Sequence, residues 1–171
     1  MIYFTSDTHF QHGNVIKLSR RPFETVEEMN ATMVGNWQER VGADDVIYHL
    51  GDFAWTWNRE TKAILASLPG QKHLITGNHD HSGVRKAPEW ASVQAYLEVT
   101  VPLADGREQM FVLFHYPIIE WNGYHRGAIN LYGHVHGARP IARQQMDVGV
   151  DACGFRPISL DGVMARLDAV E

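Results

Sequence analysis

Short apolar runs rich in β-branched and aromatic residues recur along the chain, at residues 2–6, 46–50, 73–76, 94–101, 110–115, 130–132, 146–150 and 163–167. Each is bounded by Gly, Asp, Asn or Pro, the pattern of strands that end in loops. Between the early runs the spacing changes to a helical one. Thr25-Val26-Glu27-Glu28 has the form of a capping box, with Thr25 as N-cap and Glu28 three residues on. Met29, Met33, Val34, Trp37 and Val41 then recur at helical intervals. Asn58 can cap a second helix whose apolar face is Ile64, Leu65 and Leu68, closed by Pro69-Gly70. Strand and helix alternate in the first half and strands dominate the second. That order predicts an α/β domain with a mixed sheet, or two sheets packed together.

Composition narrows the chemistry. A chain of 171 residues without repeats or linkers suits a single domain over residues 1–171. Fifteen Lys and Arg against 20 Asp and Glu give a net charge of −5, which argues against a dedicated nucleic-acid or membrane-surface binder. The N-terminus has no basic region and meets Asp7 early, so it does not read as a signal peptide. No run approaches the roughly 18 apolar residues of a membrane helix. A cytoplasmic protein is the expectation. Cys153 is the only cysteine, which rules out an intrachain disulfide and a Cys-based zinc site, whereas histidine occurs ten times. Any metal would be held by imidazoles and carboxylates.

Five short polar signatures follow successive predicted strands. They are Asp7-Thr8-His9, Gly51-Asp52, Gly77-Asn78-His79-Asp80, His115, and Gly133-His134-Val135-His136. Side chains at strand carboxyl ends converge on one rim of an α/β sheet. Asp7 and His9, like His134 and His136, are two residues apart, which in extended backbone puts them on one face. The glycines at 51, 77 and 133 allow sharp turns and close backbone approach. Asp, Asn and neutral His suit Mn, Fe, Zn or Ni and disfavour Ca and Cu(I). Few negative charges facing two divalent cations leave a centre that attracts phosphate. Singly, each signature is more often a turn or a hydrogen-bonded core histidine; five in this order are not.

The order Asp-x-His, Gly-Asp, Gly-Asn-His-Asp, His, Gly-His-x-His resembles the calcineurin-like metallophosphoesterase family, and within it the small bacterial and phage members without a cap domain. The resemblance spans residues 7–136. It implies an α/β fold of two packed mixed β-sheets flanked by helices, an α/β/β/α sandwich with a dimetal site at the strand carboxyl ends. It implies that Asp7, His9, Asp52 and His136 hold one divalent transition-metal ion. Asp52, Asn78, His115 and His134 would hold the other, with Asp52 bridging. It further implies hydrolysis of phosphate mono- or diesters, nucleotides and cyclic nucleotides among them, by a hydroxide shared between the ions. His79 would act as general acid or charge stabiliser, since an imidazole can hold and release a proton near neutral pH. The expected partner is a phosphorylated small molecule or nucleotide, with no membrane and no dedicated nucleic-acid surface. The alternative is a non-catalytic protein-interaction scaffold on the same fold, which loss of ligands would mark; none is lost.

One departure stands out. Many relatives carry Gly-Asp-x-x-Asp, whose second Asp orients the histidine of Gly-Asn-His; here that position is Trp55. The expectation is that a backbone carbonyl or Asp80 takes over the orienting role. Asp80 and His12 are candidates to support the site from behind the ligands. Arg20 and Arg21 could bind a substrate phosphate or form a surface turn. Trp55 and Trp57 could line a cleft, and the loop 121–127 could form one of its walls. His49 and His73 read as core or structural, and Cys153 as a small buried residue rather than a nucleophile.

Overall fold

The computed structural model describes residues 1–170. Five strands form one sheet in the order β4-β3-β2-β1-β9: β1 (Ile2–Thr5), β2 (Val46–His49), β3 (Gln71–Ile75), β4 (Trp90–Gln94) and β9 (Ile158–Ser159). β1 to β4 pair in parallel and β9 joins β1 antiparallel. A second sheet has the order β5-β6-β7-β8: β5 (Tyr96–Pro102), β6 (Glu108–Phe114), β7 (Ile129–Tyr132) and β8 (Gln145–Asp147). There β5 and β6 are antiparallel, and β6, β7 and β8 run parallel. Helices α1 (Gly13–Leu18), α2 (Val26–Arg40), α3 (Arg59–Ser67) and α4 (Ser82–Arg85) belong to the first half, and α5 (Leu160–Asp168) follows β9. The expected α/β architecture of two packed mixed sheets with helices is what forms.

Alternation in the central strands divides the interior. Tyr3, Ile47 and Leu74 face helices α2 and α3 and join Met29, Met33, Trp37 and Leu65 in one core. Their neighbours Phe4, Tyr48 and Ile75 face the other way and meet Phe111, Leu113, Leu131 and Met146 of the second sheet. These strands are buried on both faces, which is why they read as unbroken apolar runs rather than as alternating ones. On the outer face of the second sheet, Trp121 of the 121–127 region and the adjoining Ala128 cover Val112.

Two runs behave differently from the pattern. Residues 94–101 are not one strand: the chain bends at Ala95 and crosses from the edge of one sheet to the edge of the other. Residues 163–167 are helical, part of α5, because Leu160, Val163 and Leu167 sit one and two turns apart and all point into the inter-sheet core. Ser159 caps that helix by accepting from the Gly162 N–H. A run of five apolar-rich residues fits either period, and the cap decides it.

Both helix starts marked by capping residues form. Thr25 Oγ1 accepts from Glu28 N–H at 3.1 Å, but the Glu28 carboxylate reaches the Glu24 amide instead of that of Thr25. Asn58 makes the full reciprocal box with Thr61. Thr25→Ala is expected to cost about 1 kcal/mol of unfolding free energy, read from urea denaturation, because α2 then starts with an unmet amide. An unchanged midpoint would show that the cap contributes nothing.

Candidate metal centre

The parallel strands of both sheets deliver their carboxyl ends to one rim. A parallel bridge between Ser6 and Gly149 joins the sheets there, and Ser6 Oγ donates to the Leu50 carbonyl at 2.9 Å. Past the strand ends lie Asp7 and His9, Asp52, Asn78 and His79, His115, and His134 and His136.

Their side chains gather in two groups. Asp7, His9 and His136 form one, and Asp52, His115 and His134 the other, with the potential ligand atoms of each group within 4.8 Å of one another. Asp52 Oδ2 lies between the groups, 3.6 Å from His9 Nε2 and 3.5 Å from His115 Nε2. Asn78 presents Oδ1 to His115 Nε2 at 3.1 Å, and the Tyr116 hydroxyl steadies that amide at 3.4 Å. Asp7 Oδ1 and both ring nitrogens of His9 are buried with no hydrogen-bond partner among the described residues. Buried polar atoms are rarely left so, and a cation is the partner this donor set fits.

The backbone explains the convergence, and not by extended alternation. Asp7, His9, Asp52, His134 and His136 all lie in the left-handed region, with φ of 55°, 47°, 58°, 70° and 50°. Each such residue costs about 1–2 kcal/mol in a non-glycine, and such strain persists where the surroundings over-determine it. Tight left-handed curls, rather than strand geometry, turn the i and i+2 side chains inward. The glycines also divide by cause. Gly51 needs its positive φ of 93°. Gly77 and Gly133 do not; a Cβ on Gly77 would run into Asp52, and one on Gly133 into Ser6 and Asp7.

Burial sets the charges. His9 is pushed down to about 3 and stays neutral, the state in which imidazole binds metal. Burial raises Asp52, but the hydrogen bonding and charge of His115, with the His79 amide, bring it down to about 2. Burial pushes Asp7 up to about 7.

A family model described as calcineurin-like phosphoesterase matches residues 1–151. The chain belongs to that family. Among calcineurin-like phosphoesterases and their neighbours it is 32% identical to an uncharacterised protein of Methanocaldococcus jannaschii, over 98% of this chain and 91% of that one. It is 32% identical to the Gene 66 protein of Mycobacterium phage L5, over 94% and 91% of the two chains. A crystal structure of a protein of unknown function from Aquifex aeolicus superposes with a TM-score of 0.75 at 26% identity, covering 96% of this chain and 98% of that one. Family membership, with the two ligand groups, supports metal-dependent phosphoesterase chemistry for this calcineurin-like chain.

The surrounding residues refine the sequence reading. Asp80 does not hold the His79 ring: its carboxylate accepts from the Asp52, Phe53 and Gly77 amides at 3.0, 2.9 and 2.7 Å. It fixes the Gly51-Asp52 and Gly77-Asn78 turns against each other. The His79 ring packs against Trp55 and His9, at centroid distances of 5.3 and 5.5 Å, and has no hydrogen bond among the described residues. His12 is buried and stacks flat on Trp55 at 4.0 Å, 5.3 Å from the His9 ring. Arg21 is not available to substrate; it is buried, donating to Asp151 and to the Asp7 and Thr8 carbonyls. Arg20 instead lines a cleft of about 610 Å³ above the two groups, with Leu18, His79 and Val135. The 121–127 loop lies on the outer face of the second sheet and forms no wall of that cleft. Trp57 is half-buried against the first core.

Two further carboxylates carry no mark in the sequence pattern: Asp151 directly follows the 146–150 run, as the other site residues follow theirs, and Asp147 lies inside it. Asp151 Oδ2 is 2.7 Å from His136 Nδ1. Asp147 accepts from the Gly137 and Gly149 amides at 2.8 and 2.7 Å, closing the turn after His136.

Asp7 gives a pH dependence. A carboxyl raised from 3.8 to about 7 stabilises the metal-free fold fully below its unfolded value, and that contribution fades as pH rises through 7. A cation must displace the Asp7 proton below that point, so its grip strengthens with pH, by up to about tenfold per pH unit. Manganese is expected to raise the thermal midpoint more at about pH 8 than at about pH 6. Equal increments would show that Asp7 is not among its ligands.

Proposed function

We propose that this chain is a metal-dependent phosphodiesterase acting on small phosphate diesters, nucleotides among them, in the cytoplasm. The observation that carries the reading is the pair of ligand groups, with Asp52 Oδ2 between them, at the floor of an open cleft. Asp7, His9, Asp52 and His136 would hold one divalent ion, and Asp52, Asn78, His115 and His134 the second, drawn from Mn, Fe, Zn or Ni. Two such ions supply Lewis acidity toward phosphoryl oxygens and toward water.

The chain's own residues do the rest. Asp52 Oδ1 accepts the His79 amide at 2.8 Å, which ties the loop bearing His79 to the carboxylate that stands between the two ligand groups. His79 stands in the cleft wall and holds a proton for the departing alkoxide. Arg20, exposed on the same wall, offers a cation to a second anionic oxygen. The cleft is open at the top, with Leu18 and Trp55 exposed near its rim, and this favours a substituent on both sides of phosphorus over a monoester. A scaffold without catalysis finds no support in the residues, because every ligand position and His79 are filled.

Hydrolysis of bis-p-nitrophenyl phosphate in the presence of Mn, abolished by chelator and faster than that of p-nitrophenyl phosphate, is the expected result. Absence of metal-dependent hydrolysis of any phosphate ester would refute the enzyme reading, and a faster monoester would refute the diester preference. For the acid role, His79→Ala should slow a diester with an alkyl leaving group by about 10²-fold or more while sparing the nitrophenyl ester, whose leaving group needs little protonation. Equal losses on both esters would remove His79 from that role.

A further inference from the structure

The two ligand groups are backed very differently. His136 Nδ1 faces the Asp151 carboxylate at 2.7 Å, which leaves Nε2 as the ring nitrogen free to serve the group with Asp7 and His9. Asp151 is gripped in turn by Arg21, through Nε to Oδ1 at 2.9 Å and Nη2 to Oδ2 at 2.8 Å. The same guanidinium donates from Nη2 to the Asp7 carbonyl at 2.7 Å and from Nη1 to the Thr8 carbonyl at 3.1 Å. Its side chain is fully buried and that of Asp151 is 6% exposed. One planar fork therefore joins the loop after β1, which carries Asp7 and His9, to the segment after β8, and through Asp151 to His136 after β7.

The second group has no such support. His115 Nδ1 faces a neutral acceptor, the Leu50 carbonyl, at 2.7 Å. His134 and Asn78 are exposed, and no side chain holds the His134 ring by a hydrogen bond among the described residues. A carboxylate behind an imidazole fixes its tautomer and raises its basicity as a ligand, which a neutral carbonyl does less well. A lone buried Asp151 would be costly, and the bidentate Arg21 offsets that cost while leaving Oδ2 shared with His136.

We propose that Arg21 and Asp151 form a positioning clamp that makes the Asp7–His9–His136 group the tighter of two unequal metal sites. The clamp rests on the two-metal reading above and touches neither substrate nor reacting atoms. Its consequence is ordered loading: the clamped group fills first and keeps its ion, and the group containing Asn78, His115 and His134 exchanges.

Cobalt titration of the full chain tests this, with the visible d–d bands recorded per equivalent and the metal retained after desalting measured on the same sample. The wild-type protein should bind two equivalents of unequal affinity and keep one. Asp151→Asn, which keeps the shape and removes the charge, should weaken the tighter equivalent by about 10–100-fold and alter its bands, and should leave the weaker one little changed. Arg21→Lys should act in the same direction, since a point charge cannot make the fork. If either variant lowers only the metal-free thermal midpoint and leaves affinities and bands as they were, the pair is merely structural and the clamp is wrong. Two equal wild-type sites would overturn it without any variant. A wild-type chain that takes up no cobalt would instead overturn the two-metal reading itself.

Discussion

Asp7 and His9 lie in the interior with polar atoms that no group of the described protein satisfies: Oδ1 of one and both ring nitrogens of the other. An unmet buried polar atom costs on the order of 1–3 kcal/mol, and a charged one more. Those atoms stand beside left-handed backbone at five candidate ligands, each with its own penalty. Such a concentration of cost is tolerable only if the surrounding fold is rigid enough to enforce it and a bound cation returns the missing partners. Much of the local architecture serves that enforcement. Asp80 pins three amides of two turns, Asp147 ties the Gly137 amide after β7 to the Gly149 amide after β8, and Gly77 and Gly133 stand where any side chain would displace the carboxylates.

The enforcement depends on having two cores. Period-two alternation in β1, β2 and β3 sends Tyr3, Ile47 and Leu74 to the helices and Phe4, Tyr48 and Ile75 to the second sheet. Both faces of these strands are therefore fixed by packing, so their carboxyl ends cannot shift sideways without disturbing one core or the other. The second sheet is held in register with the first at the rim through Ser6 and Gly149. A site whose side chains come from both sheets needs that join, because Asp52 stands within 3.6 Å of His9 on one side and within 3.5 Å of His115 on the other.

The candidate ligands were legible because they are punctuation. Each is a short polar or glycine-containing signature directly after an apolar run, and the carboxyl ends of parallel strands gather such signatures on one rim. What was not legible has a common cause. Residues 163–167 fit a strand or a helix, and the Ser159 cap with inter-sheet burial decided between them. Residues 94–101 carry no glycine or proline to mark the bend at Ala95, where the chain changes sheets. Arg21 sits in a turn where arginine is usually solvated, and nothing local in sequence shows a carboxylate 130 residues away that buries it. The i, i+2 spacing of Asp7 and His9 suits extended backbone, yet a left-handed curl also brings such a pair together, and spacing alone does not separate the two.

Trp55 shows how a missing residue is absorbed by the surfaces around it. Where relatives resembling this chain place an orienting carboxylate, the indole instead lies flat on His12 and tilted against His79. Asp80 cannot substitute, since its oxygens are committed to backbone amides. Packing restricts where the His79 ring can stand but, unlike a carboxylate, does not choose which ring nitrogen carries the proton. A carboxylate-held imidazole is biased to one tautomer and toward its charged form. An indole-packed one has no such bias from its neighbour, so its position is set by Trp55 and His9 while its tautomer is left open to whatever enters the cleft. Trp55 thus settles where the His79 ring stands without settling which of its nitrogens faces the cleft, so the acid role proposed for His79 rests on position rather than on a built-in carboxylate partner.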